Sequence, residues 1–308
     1  MGALEGRPMN FIACDWGTSR LRLRWRGPEG LREVASEEGV ASLAARGGDR
    51  VSIFRQALQG ALQRLGAPCG LPVMVSGMAS SSLGWRELPY ASMPFALDGS
   101  GVVGDWVEPG VYLISGVRGD EDMMRGEETQ LLGWAEQQGP GAHAAVTLIL
   151  PGTHSKHLRL ESGLLKAITT FMTGELFEVL AQHSVLRHSV GLAAPTDPDA
   201  FRDGVAASAR LGPTAALFQV RARQVLSACT AASNRSFLSG VLIGSELRPL
   251  ATGTGPIVVA AGEVLREAYT RAAVDCGLAA RWSAIEVDGL AELGQRRLWK
   301  RLFPVSGG

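Results

Sequence analysis

The feature that most constrains this chain is a glycine turn that occurs twice, each time after an apolar run. DWGTS (residues 15–19) follows the run that starts at Phe11, and GTHS (residues 152–155) follows the run 144–150. After the first turn, apolar residues alternate with arginines through residue 26, which is the period-two pattern of a half-buried strand. Both segments therefore predict a strand, a turn and a second strand, about 135 residues apart.

The length of the chain indicates two domains. It has 308 residues, and a single core seldom grows beyond roughly 250–300 residues. Charged residues make up only 19% of the chain, which leaves ample apolar material for two buried cores. Turn chemistry at Gly-Pro-Gly (139–141) places the boundary there. The predicted division is an N-terminal lobe, 1–140, with the first turn and the substrate site, and a C-terminal lobe, 141–308, with the second turn.

Charge and cysteine usage exclude several classes of protein. Thirty basic and thirty acidic residues give a net charge of zero, which argues against a nucleic-acid binder. The start of the chain lacks the apolar segment of a signal peptide, and no run is long enough to span a membrane. The four cysteines are scattered without the spacing of a zinc site or a disulfide framework, which favours the reducing cytoplasm: Cys14, Cys69, Cys229 and Cys276.

The two turns have the chemistry of a phosphate site. Backbone N–H groups and hydroxyls of Gly, Thr and Ser can bind an anion, and a carboxylate such as Asp15 beside them can hold Mg²⁺ or its waters. Neither a GxGxxG fingerprint nor a Walker A motif is present, which disfavours Rossmann and P-loop nucleotide sites. An aspartate in a single DxGT string can simply close a turn. The recurrence of the turn favours the phosphate interpretation.

The order of three segments resembles the actin-like ATPase and sugar-kinase superfamily, where they serve as the two phosphate motifs and the adenosine motif: residues 15–19, 150–156 and 260–263. Five strings resemble more narrowly the 2-dehydro-3-deoxygalactonokinase family: SGM (76–78), MRGEETQ (124–130), LPGTHSK (150–156), TFMTGELF (170–177) and LSGVLIG (238–244). The five together are specific, whereas DWGTS alone is shared across the superfamily. The resemblance covers about residues 10 to 300.

The resemblance implies an α/β fold with two ribonuclease-H-like lobes around a nucleotide cleft. It also implies a kinase of galactonate breakdown that transfers the γ-phosphate of ATP to the 6-hydroxyl of 2-dehydro-3-deoxy-D-galactonate. By the same resemblance, the residues of the first turn that would contact Mg²⁺ and the phosphates are Asp15, Gly17, Thr18 and Ser19. Those carried over for the β- and γ-phosphates are Gly152, Thr153, His154 and Ser155, and Gly262 is carried over for adenosine. The late motif has Ala261 before Gly262 where many superfamily members have GG or GS.

Phosphoryl transfer needs a base aimed at the attacking hydroxyl, and a carboxylate is expected. In related glucokinases it lies at the start of a helix after a strand of the first lobe, which corresponds here to Glu127, with Glu128 and Asp122 as rivals. The alternative is that acidic residues occupy a first helical turn because the helix dipole favours them there. Arg125 is a candidate clamp for the substrate carboxylate, since a guanidinium binds it in bidentate fashion.

Four further side chains are candidates with a plain alternative each. Lys156 could neutralise charge on the transferred phosphoryl group or be a solvated lysine at a strand edge. His154 could donate to phosphate or hold its own loop. Ser76, in a serine-rich loop predicted over 76–82, could bind a polyhydroxylated substrate or lie in a flexible surface loop. Thr173, like Glu128, is assigned to substrate binding, and domain capping near the inter-lobe helix is the alternative that the sequence leaves open for it.

Two rival functions remain on the same fold. A sugar-sensing regulator usually carries an added helix-turn-helix segment, and the first strand at about residue 11 leaves no room for one. A phosphatase or ATPase would transfer the phosphoryl group to water. We expect a small-molecule sugar acid as partner, with no nucleic acid and no membrane, and a homodimer is one arrangement compatible with the sequence.

Overall fold

The structure is a computed structural model that describes residues 10–139, 145–191 and 196–304. It is a mixed α/β fold, as the sequence predicts. Its strands in chain order are β1 (Ile12–Trp16), β2 (Leu21–Gly27), β3 (Gly30–Ser36), β4 (Val73–Gly77), β5 (Ala91–Ser92), β6 (Phe95–Ala96), β7 (Gly104–Glu108), β8 (Val111–Ile114), β9 (Val117–Arg118), β10 (Met123–Met124), β11 (Val146–Leu150), β12 (Ser155–Glu161), β13 (Leu164–Phe171), β14 (Ile257–Ala260) and β15 (Trp282–Ile285).

The helices connect these strands. They are α1 (Val40–Ala44), α2 (Arg50–Leu65), α3 (Glu127–Gln138), α4 (Thr173–His183), α5 (Pro198–Leu211), α6 (Pro213–Ser227), α7 (Ala231–Leu247), α8 (Glu263–Asp275) and α9 (Leu290–Leu302). No helix in the described part of the chain is both long and apolar enough to cross a membrane.

The first sheet has the strand order β3-β2-β1-β4-β8-β7. β1 and β2 are antiparallel, which confirms the predicted first hairpin, and β1 is parallel to β4. The parallel register pairs Asp15 with Ser76, so the two candidate residues are neighbours on adjacent strands. The serine-rich segment predicted as a loop over 76–82 therefore begins inside β4, because Ser76 and Gly77 continue the pairing with β1. The core beneath includes the aromatic contacts of Trp16 with Phe54 and Trp85.

A second sheet has the strand order β15-β14-β11-β12-β13-β6, and a small third sheet has the order β10-β9-β5. β11 is parallel to β14, and β14 is parallel to β15. β11 and β12 are neighbours joined by residues 151–154, which confirms the second strand–turn–strand unit. The same backbone pattern therefore occurs in both of the large sheets.

The helical region departs from the prediction at one place. The periodic apolar face over 206–232 indicates helix without an interruption, but the chain divides this stretch between α5 and α6, with a break at Gly212, and starts α7 at Ala231. Pro213 occupies the first position of α6, because a proline lacks the N–H that a continuous helix would need. α5 and α7 then pack closely: a side chain on Gly204 or Gly240 would overlap the backbone of the opposite helix.

Contacts divide the chain into two compact units. The first comprises Met1–Ala144, Leu160–Ile168 and Asp288–Gly308, and the second comprises Ala145–Arg159 and Thr169–Val287. The predicted boundary at 140/141 lies outside the described residues. α9 groups with the first unit, whereas the prediction assigns it to the C-terminal lobe. It packs on α3 through Gly133 and Gly294, where any side chain would overlap the facing backbone.

Candidate active site

The first turn (residues 17–20) joins β1 to β2. Its ends are closed by a hydrogen bond from the N–H of Gly17 to the carbonyl of Arg20, at 2.8 Å. Thr18 and Ser19 are exposed, and Gly17 and Asp15 are partly buried. The predicted phosphate residues of this turn are therefore accessible, with a carboxylate on the strand that leads into it.

The N-terminus of α1 holds the first turn. The N–H groups of Val40 and Ala41 donate to the carbonyls of Gly17 and Thr18, both at 3.0 Å. Gly39 precedes the helix, and a side chain there would overlap the backbone of the turn. The carbonyls of the turn are thus occupied by the helix, and the position of the turn depends on glycine at residue 39.

Asp15 is a partly buried carboxylate on the strand that leads into the first turn. Burial raises the pKa of its carboxyl, and the charges of Arg22 and Arg24 oppose that rise. No group of three acidic, histidine or cysteine side chains within the described residues could hold a metal by itself. Mg²⁺ usually keeps several waters and binds one or two carboxylates together with substrate phosphates. A single carboxylate beside exposed hydroxyls fits that mode of binding.

Ser76 is buried and engaged by other side chains. Its Oγ accepts hydrogen bonds from Gln295 Nε2 at 2.8 Å and from Thr129 Oγ1 at 3.3 Å. Gln295 also donates to the carbonyl of Cys14, at 2.8 Å. Ser76 is predicted to contact substrate, but the residue is only 1% exposed. Gln295 was not among the predicted residues, because no local pattern marks it, and it connects β1 to β4 through these two hydrogen bonds.

Two glycines bring the start of α3 against β4. Gly77 has a φ of +92°, and a Cβ there would lie 2.7 Å from the carbonyl oxygen of Trp16. Gly126, with a φ of +112°, would place a Cβ 3.3 Å from the Cα of Gly77. A residue other than glycine would be strained at both positions. The acidic start of α3 is therefore next to the strand that pairs with Asp15.

The two glutamates at the start of α3 differ in environment. Glu127 is partly buried, and its Oε2 accepts from the N–H of Arg125 at 3.0 Å. Glu128 is fully buried, its Oε2 accepts from the N–H of Gly126 at 2.6 Å, and its Oε1 has no hydrogen-bond partner among the described residues. Burial, together with the charge of Glu127, raises the pKa of Glu128 to about 8. Glu128 is therefore neutral near pH 7.

Arg125 and Asp122 are both bonded within the protein. The guanidinium of Arg125 donates to the carbonyl and Oγ of Ser80, both at 2.6 Å, and lies over the ring of Tyr90 at 4.0 Å. A substrate carboxylate would have to share or displace these bonds. Asp122 accepts from the N–H of Met123 at 2.7 Å, and its carbonyl accepts from Gly119 in the turn between β9 and β10.

The second turn (residues 151–154) is built like the first. Gly152, Thr153 and His154 are exposed. The carbonyl of Thr153 accepts from the N–H of Glu175 in the first turn of α4, at 3.0 Å, and a side chain on Gly174 would overlap the backbone of the second turn. His154 Nε2 also pairs with the Glu175 carboxylate. The predicted phosphate residues 152–154 are thus brought together at a helix N-terminus.

The residues that follow the second turn point away from solvent. Ser155 is buried, and its hydroxyl donates to Oε1 of Glu246 at 2.6 Å. Thr173, a predicted substrate residue, donates to Oε2 of the same carboxylate. Lys156 is buried, not solvated, and its Nζ donates to Thr170 Oγ1 at 2.9 Å. Glu246 was not among the predicted residues, although it is the one acidic residue of α7, a signal that could have found it.

A cavity of about 410 Å³ opens beside the second turn, within the second unit. Its lining includes Gly152, Thr173, Phe177, Glu263, Ala268 and Tyr269. Gly262, the predicted adenosine residue, precedes α8 and is exposed, and a Cβ there would meet nothing within 4 Å. The second turn and the start of α8 therefore border one cavity of a size that small ligands occupy.

Comparison with known proteins decides the family. The family model for 2-keto-3-deoxy-galactonokinase matches residues 15–297. The chain belongs to the 2-keto-3-deoxy-galactonokinase family. A Rhizobium meliloti protein described as a probable 2-dehydro-3-deoxygalactonokinase is 36% identical, over 96% of this chain and 98% of its own. The 2-dehydro-3-deoxygalactonokinase of Escherichia coli K12 is 32% identical, over 88% and 92%.

Solved structures agree with this family. A Sinorhizobium meliloti crystal structure with the same description has 34% identity and a TM-score of 0.83, over 96% of this chain and all of that one. An activator of 2-hydroxyisocaproyl-CoA dehydratase from Clostridium difficile has a TM-score of 0.51 at 11% identity, which shows a shared fold alone. The expected sugar-kinase fold of the 2-keto-3-deoxy-galactonokinase family is thereby confirmed. The predicted roles of single residues stay predictions.

Proposed function

We propose that this chain transfers the γ-phosphoryl group of ATP to the 6-hydroxyl of 2-dehydro-3-deoxy-D-galactonate. The observation that carries the proposal is that this chain, a member of this family, has two glycine turns, each of which joins two neighbouring strands. Each turn exposes a hydroxyl residue, and in each a carbonyl accepts a hydrogen bond from an amide in the first turn of a helix. Phosphoryl transfer depends on positioning and charge neutralisation, which such turns can supply.

We infer that each of the two turns contacts phosphate. In the first turn the contacts would come from Gly17, Thr18 and Ser19. In the second turn they would come from residues 152–154, where the Nε2 of His154 is already paired with Glu175. The buried hydroxyl of Ser155 is bonded to Glu246 and is less suited to a phosphate contact. Lys156, buried one residue further, would act on the phosphates through its charge.

Asp15 is the proposed magnesium residue. A bound Mg²⁺ would neutralise charge on the phosphates. Asp15 suits this role because its carboxylate is partly accessible beside the first turn. A cation beside a carboxylate favours the ionised form, which would reverse the effect of burial on the pKa of Asp15.

The environments at the start of α3 support Glu127 as the base. A base must be ionised before it accepts a proton, and the pKa of about 8 leaves Glu128 protonated at neutral pH. A protonated Glu128 can instead donate a hydrogen bond to a substrate oxygen. Arg125 keeps its proposed role as the carboxylate clamp, with Tyr90 and Ser80 holding its guanidinium.

The cavity beside the second turn is the proposed adenosine site. It adjoins Gly152, a proposed phosphate residue, and Glu263, which follows Gly262. Its walls are mostly apolar, which suits a purine ring. Thr173 also lines it. This places the nucleotide's base and its terminal phosphates on neighbouring parts of the second unit.

The cytoplasm is the proposed cellular setting. All four cysteines are free thiols, as expected of the cytoplasm. A net charge of zero supports a small-molecule partner over nucleic acid. A homodimer is the proposed assembly, and light scattering on the purified chain would measure its mass directly.

A phosphorylation screen tests the proposed function. The chain is incubated with ATP, Mg²⁺ and a panel of 2-keto-3-deoxy aldonates, and products are detected by mass. The expected result is one added phosphoryl group on 2-dehydro-3-deoxy-D-galactonate, with fragmentation placing it on the 6-oxygen. Release of inorganic phosphate at the same rate with and without every sugar acid would instead identify an ATPase.

A further inference from the structure

Glu246 on α7 is a buried carboxylate surrounded by hydrogen-bond donors. It is 2% exposed. Ser155 Oγ donates to it at 2.6 Å, Tyr269 Oη at 2.7 Å, and Thr173 Oγ1 also donates, while His157 Nε2 lies 2.9 Å away. Both oxygens of the carboxylate are used. Removing one member of such a buried network leaves its partners without a hydrogen bond, which is costly in a low-dielectric interior.

The donors come from three elements that surround the second turn. Ser155 is the first residue after the turn, and His157 lies two residues further along β12. Thr173 begins α4, the helix whose next two residues contact the second turn. Tyr269, on α8, lines the adjoining cavity. One carboxylate therefore connects the end of the turn, the helix that holds it and the wall of the cavity.

The charge of Glu246 is maintained by these contacts. Burial alone would raise the pKa of its carboxyl, but the hydrogen bond and charge of His157, with the hydrogen bonds from Ser155 and Thr173, lower it below its ordinary value. Hydrogen bonds to a charged acceptor are roughly twice as strong as those between neutral groups. A glutamine at position 246 has only one acceptor oxygen. Its NH2 group would therefore face at least one of these donors, and that hydrogen bond would be lost.

We propose that Glu246 is a positioning residue for the second turn, setting its place relative to α4 and so the affinity of this protein for the terminal phosphates of ATP. The inference rests on the proposed function and adds a residue to it. It also changes the role of Ser155, whose hydroxyl acts through Glu246. The exposed residues Gly152 to His154 are left to contact the nucleotide.

A merely structural role makes a different prediction. If Glu246 only stabilises the second unit, its replacement lowers stability and reduces the binding of every nucleotide fragment alike. If it positions the turn, the loss grows with the number of phosphates, because adenosine lacks the group that the turn contacts. The ratio of ATP affinity to adenosine affinity therefore separates the two roles.

The experiment is calorimetric binding of Mg·ATP and of adenosine to the full chain, without sugar acid. We expect Glu246→Gln to weaken ATP binding by about tenfold or more, the effect of losing hydrogen bonds to a charged group, and adenosine binding by less than about threefold. The matched control is Glu292→Gln. Glu292 is likewise buried, at 5% exposure, and pairs with Arg26 and Arg296 in the first unit. The control should leave both affinities unchanged.

A milder pair of variants keeps the test decisive if Glu246→Gln does not fold. Ser155→Ala and Tyr269→Phe each remove one donor, and each should weaken ATP more than adenosine. Where Glu246→Gln folds, adding Ser155→Ala to it should cause little further loss, since both act through one contact. Losses that multiply in the double variant would mean that Ser155 contacts phosphate by itself, and would overturn the inference.

Three outcomes distinguish a failure of this inference from a failure of the proposed function. If the parent binds ATP and the Glu246 and Ser155 variants bind it equally well, the positioning role is wrong and the kinase proposal is untouched. Equal losses for ATP and adenosine would also overturn the positioning role. A parent chain that binds no ATP would contradict the proposed function itself, and with it the inference.

Discussion

The two turns of this protein share a backbone design, but a carboxylate beside the first turn and one beneath the second lie in different environments. In each, a carbonyl of the turn accepts from an amide in the first turn of a helix, and a glycine at the start of that helix lies against the turn. Asp15, beside the first turn, is partly accessible. Glu246, beneath the second, is buried and bonded to protein donors.

The difference shows that a turn sequence determines local backbone but not chemistry. Glycine and hydroxyl residues occur in both turns, so the same strand–turn–strand geometry forms twice. Whether a nearby acid can hold a cation depends on the side chains that the rest of the fold brings to it. The proposed cation therefore belongs to the first turn, and the proposed positioning acid to the second.

The largest expected effect is that of Asp15→Asn. The amide keeps the volume of the side chain but weakens the interaction with Mg²⁺, so turnover should fall by roughly a thousandfold or more while the fold survives. Activity is measured across a Mg²⁺ titration, and circular dichroism checks the fold. Near-parental activity at ordinary Mg²⁺ would remove Asp15 from the metal role and undermine the assignment of the first turn.

The next effect concerns the base. Glu127→Gln should lower kcat by about 10²–10⁴-fold, the usual contribution of a positioned base, with little change in the KM for ATP. Glu128→Gln is the matched control at the adjacent position and should lower kcat much less, because Glu128 is already neutral near pH 7. Steady-state kinetics with both variants measure the contrast. A larger loss in Glu128→Gln would exchange the two roles.

The glycines that contact the turns give a test of their common design. Gly39→Ala and Gly174→Ala each place a Cβ inside the backbone of a turn, so each should raise the KM for ATP by about tenfold. Gly60→Ala is the control, because a Cβ there meets only the end of Arg64 at 3.6 Å. A normal KM in either turn variant would show that its turn is not fixed by the helix.

The smallest expected effect is a dependence of stability on pH. Glu128 has a pKa of about 8 in the folded chain and an ordinary value near 4.5 when unfolded. Between these pH values the folded state binds more protons than the unfolded state. The contribution of Glu128 to the free energy of unfolding therefore falls as pH rises, by about 1.4 kcal/mol per pH unit. When the pH is raised from 5.5 to 7.5, the free energy of unfolding measured in urea should fall for the parent. The fall should be about 2 kcal/mol smaller for Glu128→Gln, which lacks the titrating group. Equal losses would contradict the raised pKa.

Local features were predictable from the sequence. The first hairpin, the strand before the second turn and the helix that starts at Glu127 follow from periodicity and glycine turns. The break at Gly212 was missed because apolar periodicity continues across it, although Pro213 marks the start of a helix. Short-range signals thus located the turns and most of the elements around them.

The surroundings of the candidate site were not predictable in the same way. Ser76 is bonded to Gln295, 219 positions away, and Ser155 to Glu246, 91 positions away. No local pattern records such pairs, because they depend on how helices pack on the sheets. The packing made Ser76 and Ser155 buried hydrogen-bonded groups, although their sequence context suggested direct ligand contacts.

The most direct test of the different roles of Asp15 and Glu246 is the effect of Mg²⁺ on ATP affinity. ATP binding is measured by calorimetry with Mg²⁺ and with EDTA for the parent, Asp15→Asn and Glu246→Gln. We predict that Mg²⁺ strengthens ATP binding to the parent, that Asp15→Asn loses most of this strengthening, and that Glu246→Gln binds more weakly throughout but keeps the parental ratio. A parental ratio in Asp15→Asn, or its loss in Glu246→Gln, would contradict the account.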